Sequence, residues 1–291
     1  MASIKEYNRK IGSLKNTVKI TKTMKMVSAS KLRRAQEAEN KAKAYAHAVN
    51  NLIFRVAESV EQDMHPLLTP RENASKVLLL VFSSDKGLCG GFNNNLIKYV
   101  ETKRKELEAD GKEVSMAFCG RRAHQYFAER AAVFKNYEGV TAAPHSRDAT
   151  EISEEMIEAY SDGRFDEAHM VYNHFVSPLS QVPRSDQLLP LPMATLEDHD
   201  QVEAITADDF IAEPALPELL KILVPMLVVF KLFYALLENA AGEHGARMTA
   251  MDNATTNASK MIDDFTLLRN RARQAAITTE LIEIISGAEA L

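Results

Sequence analysis

Met251–Ser286 reads MDNATTNASKMIDDFTLLRNRARQAAITTELIEIIS, and its small and apolar residues return at alternating steps of three and four. Met251, Ala254, Ala258, Met261, Phe265, Leu268, Ala272, Ala275, Thr279, Ile282 and Ser286 form the series, uninterrupted by proline. That spacing is the seam of a coiled coil sustained over about five heptads. The opposite end of the chain carries a similar seam: Ile4, Tyr7, Ile11, Leu14, Val18 and Thr21. After a three-residue slip it resumes through Met24, Ser28, Lys31, Ala35, Ala38, Ala42, Tyr45, Val49, Leu52 and Val56. Pro66 and Pro70 then end the helical reading, because proline has no amide hydrogen to give a helix. Both seams are rich in Ala, Ser and Thr, so each helix buries little apolar area alone and needs a partner. The expectation is an antiparallel pair made from the two chain ends, with a four-helix bundle as the alternative.

Between the two ends the period changes. Val77–Phe82 (VLLLVF) and Val114–Cys119 (VSMAFC) are short apolar runs bounded by turn residues, and His169–Val176 alternates apolar with polar, so all three read as strands. Residues 93–109, 121–130 and 149–160 have helical spacing and separate them, the alternation of a βαβ unit with a mainly parallel sheet. Pro178, Pro183, Pro190 and Pro192 punctuate the exit, and an acidic run follows from Glu197 to Asp209. The expected fold class is therefore α/β: a long antiparallel coiled coil of the terminal helices with a small βαβ domain inserted. Its expected segments are an N-terminal coiled-coil helix at 1–62, a Rossmann-like α/β domain at 75–195 and a C-terminal coiled-coil helix at 208–288.

Composition narrows the function. The 291 residues are 46% hydrophobic and 26% charged with a net charge of -5, which excludes a disordered chain and names no partner by charge alone. The charge is uneven, however: residues 1–34 hold ten Lys or Arg against the single acid Glu6. That end should meet an acidic partner. A transit peptide or a nucleic-acid patch would also be basic, but the helical period continues through the segment without a break, and aromatic residues for stacking are only 7% of the chain. Cys89 and Cys119 are too few for a disulfide framework and read as reduced, structural thiols. The most apolar stretch, residues 215–237, has no uncharged run longer than nine residues, short of the roughly 20 that span a bilayer. No direct membrane span is expected.

A search for catalytic chemistry finds one lead. Ser83 to Asn93 (SSDKGLCGGFN) is a glycine-rich turn between a strand and a helix, where phosphate-binding loops sit. A P-loop needs its lysine directly after the last glycine, whereas Lys86 precedes Gly87, Gly90 and Gly91, so the structural reading of the glycines is the stronger. The eight histidines show no metal-ligand spacing, and Cys89 has no base beside it in the sequence. No metal, cofactor or catalytic residue is expected.

Three motifs in order carry a family resemblance. Ile20, Thr21, Met24, Met26, Val27, Ser28, Ala29 and Lys31 match the first-helix pattern of the gamma subunit of the F-type ATP synthase. Ser84, Asp85, Gly87, Leu88, Cys89, Gly90, Gly91 and Asn93 match its glycine turn. Ile277, Thr278, Glu280, Glu283, Ile284, Gly287 and Ala288, after Ala272-Arg273-Gln274-Ala275, match its C-terminal signature. The chain thus resembles, over nearly its whole length, the bacterial form of that central-stalk rotor. What the resemblance implies is a non-catalytic shaft inside a hexamer of alpha and beta subunits, with the α/β domain at the foot beside the epsilon subunit and the membrane c-ring. It further implies that the shaft couples ion flow to ATP synthesis, peripherally on the cytoplasmic face of the bacterial inner membrane. By the same resemblance Met24, Lys25, Arg273 and Gln274 meet acidic loops of the beta subunits, and Arg247, Thr278 and Glu280 lie in the coupling region. Phe210, Glu213 and Pro214 resemble the segment that approaches the c-ring. Lys25 departs from relatives with an acid there.

Overall fold

The computed structural model describes residues 3–58, 65–72, 74–192 and 216–289. Among the described residues ten elements follow in order: α1 Ile4–Glu58, β1 Lys76–Phe82, α2 Phe92–Ala109, β2 Glu113–Cys119, α3 Arg121–Phe127, β3 Ala132–Tyr137, α4 Ser146–Ser161, β4 Glu167–Ser177, β5 Ser180–Leu189 and α5 Leu216–Glu289. They make two compact units. One combines Met1–Ala29 with Arg247–Leu291, and the other is Ser30–Ala246.

In the first unit the ends of α1 and α5 run antiparallel, as the small-residue seams require. Thr21 Oγ1 and Thr255 Oγ1 share a hydrogen bond of 2.7 Å, Lys25 Nζ lies 2.6 Å from Asp252 Oδ1, and the Tyr7 and Phe265 rings are 6.3 Å apart. As the partner's number rises, α1's number falls. Ile11, Thr21 and Ser28 of the α1 seam are buried, as are Met251 and Ala258 of α5. Two stretches of the seam differ from the expectation. On α1 the position after Ser28 is Leu32, which is buried, while Lys31 is exposed. On α5 the inward positions after Ala258 are Ile262, Phe265, Arg269, Ala272 and Ala276, while Met261, Leu268 and Ala275 face outward. The cause is a second consecutive step of four residues after Ala254 and Ala258, which moves alternate seam members by one position without altering the mean period.

The second unit is built on a five-stranded sheet in the order β3-β2-β1-β4-β5. β1 pairs in parallel with β2 and β4, β2 in parallel with β3, and β5 closes the edge antiparallel to β4. Every residue from Val77 to Phe82 is buried because β1 is central and covered on both faces. Leu78, Leu80 and Phe82 point toward Ile152 and Met156 of α4 and Val224 and Val228 of α5. Val77, Leu79 and Val81 point the other way, onto Leu96 and Val100 of α2 and Phe127 of α3. The three expected strands are present, and two further ones flank them. β3 carries only six residues and lies at an edge with little burial, so its period is weak. β5 contains Pro183, read from sequence as a break; an edge strand tolerates proline because one row of its amides has no ladder partner.

The start of α5 contains a stretch apolar enough, by length and composition, to cross a bilayer, with mean hydropathy 2.1. Its apolarity has another use here. Leu220, Val224, Leu227, Val228, Leu232 and Leu236 are buried in the core against the sheet.

Candidate functional site

The glycine turn lies at the carboxyl end of β1, and its polar groups are spent on the protein's own backbone. Ser83 Oγ accepts from the Ala123 amide at 3.0 Å, the Ser84 carbonyl accepts from the Arg122 amide at 3.0 Å, and Asp85 Oδ1 accepts from the Arg121 amide at 3.1 Å. Three consecutive amides at the start of α3, which a helix cannot satisfy internally, are thereby capped by the turn. Thr141 Oγ1 donates to the other oxygen of Asp85 at 3.3 Å. Ser84 Oγ donates to the Lys86 carbonyl at 2.7 Å, and Asn93 Oδ1 accepts from the Ser84 amide at 3.1 Å. Asn93 Nδ2 donates to Cys89 Sγ at 3.2 Å, which ties the turn to the first residues of α2.

The glycines have different reasons. Gly90 has a φ of 59°, a left-handed conformation that opposes a β-branched side chain. Gly91 does not share it, for its φ is -81° and a Cβ there would meet the Asn95 amide at 3.2 Å. A Cβ at Gly87 would meet the Arg122 guanidinium at 2.9 Å. Sequence reasoning missed the tightest position, Gly120, whose φ is 101° and whose Cβ would lie 2.4 Å from the Ser83 carbonyl oxygen. A single glycine between a strand and a short helix carries no spacing that could have flagged it. Beside the turn runs an open groove of about 490 Å³ lined by Gly87, Leu88, Cys89, Gly90, Arg122 and Tyr126, among others.

Cys89 and Cys119 are both buried, and neither forms a disulfide. Burial raises the Cys119 thiol far above its ordinary value, and the Asp85 carboxylate nearby adds to the shift, so the reactive thiolate is suppressed. Among the described residues no cluster of three His, Cys, Asp or Glu side chains could hold a metal.

The residues assigned by resemblance to coupling fall at separate heights on the coiled coil. Met24 and Lys25 are half-buried on α1, with Lys25 held by Asp252. Arg273, Gln274, Thr278 and Glu280 are all exposed on α5, and Thr278 Oγ1 donates to the Gln274 carbonyl at 3.0 Å. Lys25 faces Asp252, so Arg273 lies about 30 Å further along α5 at 1.5 Å per residue. The fold therefore does not bring Met24 and Lys25 together with Arg273 and Gln274. Arg247 is buried at 8% exposure. Phe210, Glu213 and Pro214 lie outside the described residues.

Beyond the last cross-helix bond, from Arg269 to Asn8 at 3.5 Å, α5 continues for five more turns while α1 begins at Ile4. Ile277, Leu281, Ile282, Ile284 and Ile285 on that extension are 49% to 67% exposed.

Comparison with known proteins gives this arrangement a family. A family model described as ATP synthase matches residues 3–291. The ATP synthase gamma chain of Trichlorobacter lovleyi is 44% identical over 295 residues, covering 100% of this chain and 99% of that one. The chain belongs to the ATP synthase gamma-chain family. The gamma chain of Erythrobacter litoralis is likewise 44% identical, over 303 residues and the full length of both. A chain of the Euglena gracilis mitochondrial ATP synthase, solved with its F1 sector and c-ring, has the same fold: TM-score 0.67 at 19% identity, covering 99% of this chain and 94% of that one. A chain of the Tetrahymena thermophila central stalk and c-ring gives 0.57 at 23% identity, covering 81% and 99%. A gamma chain is a rotor subunit of the central stalk rather than a catalytic subunit, and it works as part of the membrane-associated complex.

Proposed function

We propose that this gamma chain is the shaft that couples ion flow through the c-ring to ATP synthesis and hydrolysis on the beta subunits. The observation that carries the reading is the end of α5, where five large aliphatic side chains stand 49% to 67% exposed, uncovered by any of the described residues. An apolar helix end of that length is stable in water only when something covers it, and a surrounding hexamer of alpha and beta subunits supplies such a sleeve. The segments then take these roles: 1–62 and 208–288 form the shaft, and 75–195 the foot beside the epsilon subunit and c-ring. Phe210, Glu213 and Pro214 approach the c-ring, and the assembly sits on the cytoplasmic face of the bacterial inner membrane.

Coupling on this reading is a dependence of nucleotide affinity on shaft angle, an allosteric free energy shared among the three catalytic sites. Met24, Lys25, Arg247, Arg273, Gln274, Thr278 and Glu280 contribute contacts that are individually weak. A local charge of +9 over residues 1–34 faces acidic loops, and partly solvated pairs of this kind are worth about 1 kcal/mol or less each. Gly87, Gly90 and Gly91 are structural. The test is ATP-driven ion pumping measured against ATP hydrolysis in the same membranes. Met24→Lys and Arg273→Ala should leave the complex assembled and hydrolysing while lowering the pumping obtained per ATP. An unchanged ratio for both removes these residues from coupling.

A further inference from the structure

The contact between α5 and the β4–β5 hairpin encloses a carboxylate that the shaft reading does not use. Glu238 on α5 is 1% exposed, and its Oε1 lies 2.6 Å from Nδ1 of His174 on β4. Its second oxygen, Oε2, is buried without a hydrogen-bond partner. One to two turns further along α5 the backbone closes on the same hairpin: a Cβ at Gly242 would meet Gln181 at 3.5 Å and the Asn173 carbonyl at 3.7 Å, besides Phe92 of α2 at 3.1 Å, and one at Gly245 would meet Phe175 and Pro178 at 3.1 Å. So close an approach leaves little room for water to solvate the carboxylate. The His174 side chain is 39% exposed, so solvent reaches the pair from its side.

Other charges in this contact are already engaged or of mixed sign. Tyr172 of β4 donates to Asp186 Oδ2 at 2.7 Å and also acts on Glu238, while Arg184 of β5 donates to Asp186 Oδ1 at 2.9 Å and acts on Glu238 as a cation. Tyr234 of α5 feels both Glu238 and Glu39 of α1, and Lys231 is influenced by Asp186 and Arg184.

We propose that His174 and Glu238 form a proton-sensitive clamp, which holds the β4–β5 hairpin on α5 while a proton is shared between them and loosens when that proton is lost. Burial raises the Glu238 carboxyl above its ordinary range, against the lowering effects of His174, Arg184 and Tyr172. A raised carboxyl binds its proton more tightly in the folded chain than in the unfolded one. Its stabilisation is therefore complete below the unfolded value of about 4.5 and is lost as pH rises through the folded value. Loss of one proton changes the folding equilibrium by at most about tenfold per pH unit.

The experiment is urea unfolding of the full chain at a series of pH values from about 4.5 to about 8.5, a window that brackets the unperturbed carboxylate and imidazole. His65, His169 and Lys231 are lowered by burial and add stability as pH rises in both proteins, so the Glu238 contribution is read as the ratio of the wild-type to the Glu238→Gln folding constant, which should decline with rising pH. His174→Gln removes a group that lowers the Glu238 carboxyl, so it should move the decline to higher pH. A merely structural pair would shift every point by the same factor. Parallel wild-type and Glu238→Gln profiles overturn the clamp. If Glu238→Gln does not fold, a His174→Gln profile parallel to wild type does so instead. The readout needs no other subunit, so it can fail without touching the coupling reading.

Discussion

Replacing Gly120 by alanine should be among the most damaging single-methyl changes in the α/β unit, and its cost can be built from two parts. The backbone there has φ 101° and ψ 150°, a region essentially restricted to glycine, where an L-residue is strained by about 1 to 3 kcal/mol. The added Cβ would also sit 2.4 Å from the Ser83 carbonyl oxygen and 2.9 Å from its carbon, both backbone atoms of the β1 end. Ser83 cannot retreat cheaply, because its amide donates to the Cys119 carbonyl at 2.8 Å and its hydroxyl caps Ala123 of α3. Overpacking against so fixed a neighbour adds about 1 to 3 kcal/mol. The total is about 2 to 6 kcal/mol. Gly111 is the matched control: its φ is also positive, at 77°, but nothing lies within 4 Å of its Cβ position, so Gly111→Ala should cost about 1 to 2 kcal/mol. Urea unfolding of the full chain, followed by far-UV circular dichroism because the chain has no tryptophan, reads the difference. With a slope of about 2 to 3 kcal/mol per molar, a 4 kcal/mol loss lowers the midpoint by about 1 to 2 M. A Gly120→Ala midpoint no lower than that of Gly111→Ala would refute the steric argument.

Gly245→Leu should destabilise by about 1 to 3 kcal/mol in the same assay, since its side chain must displace Phe175 and Pro178, now 3.1 Å from the Cβ position. The Lys25–Asp252 pair is 41% and 53% exposed, so a double-mutant cycle should give a coupling of about 1 kcal/mol or less, disappearing at molar salt. Cys89 and Cys119 should resist alkylation in the folded chain near neutral pH and react fully in denaturant, as mass spectrometry would show. Rapid labelling of the native protein would contradict their burial.

The sequence by itself determined the division of labour along the chain. Two long seams of small residues specify two helices that need each other, and an apolar run as continuous as VLLLVF specifies a strand covered on both faces. Three motifs in order were enough to suggest the family. The phase of the seam was not legible, because Met261 and Ile262 are both apolar and either would continue a three-or-four rhythm; only the packed pair selects Ile262. The edge strands β3 and β5 were hidden for the opposite reason, since a strand with one free edge and partial burial needs neither strict alternation nor the absence of proline. Within the candidate site, the glycine turn was visible, but what it caps was not. Its partners, the Arg121, Arg122 and Ala123 amides, are more than thirty residues away in sequence and become neighbours only because β1 and β2 lie side by side. The same is true of His174 and Glu238, 64 residues apart: each is an ordinary polar residue in the sequence, and only the docking of α5 on β4 buries the Glu238 carboxylate against the half-exposed His174 ring.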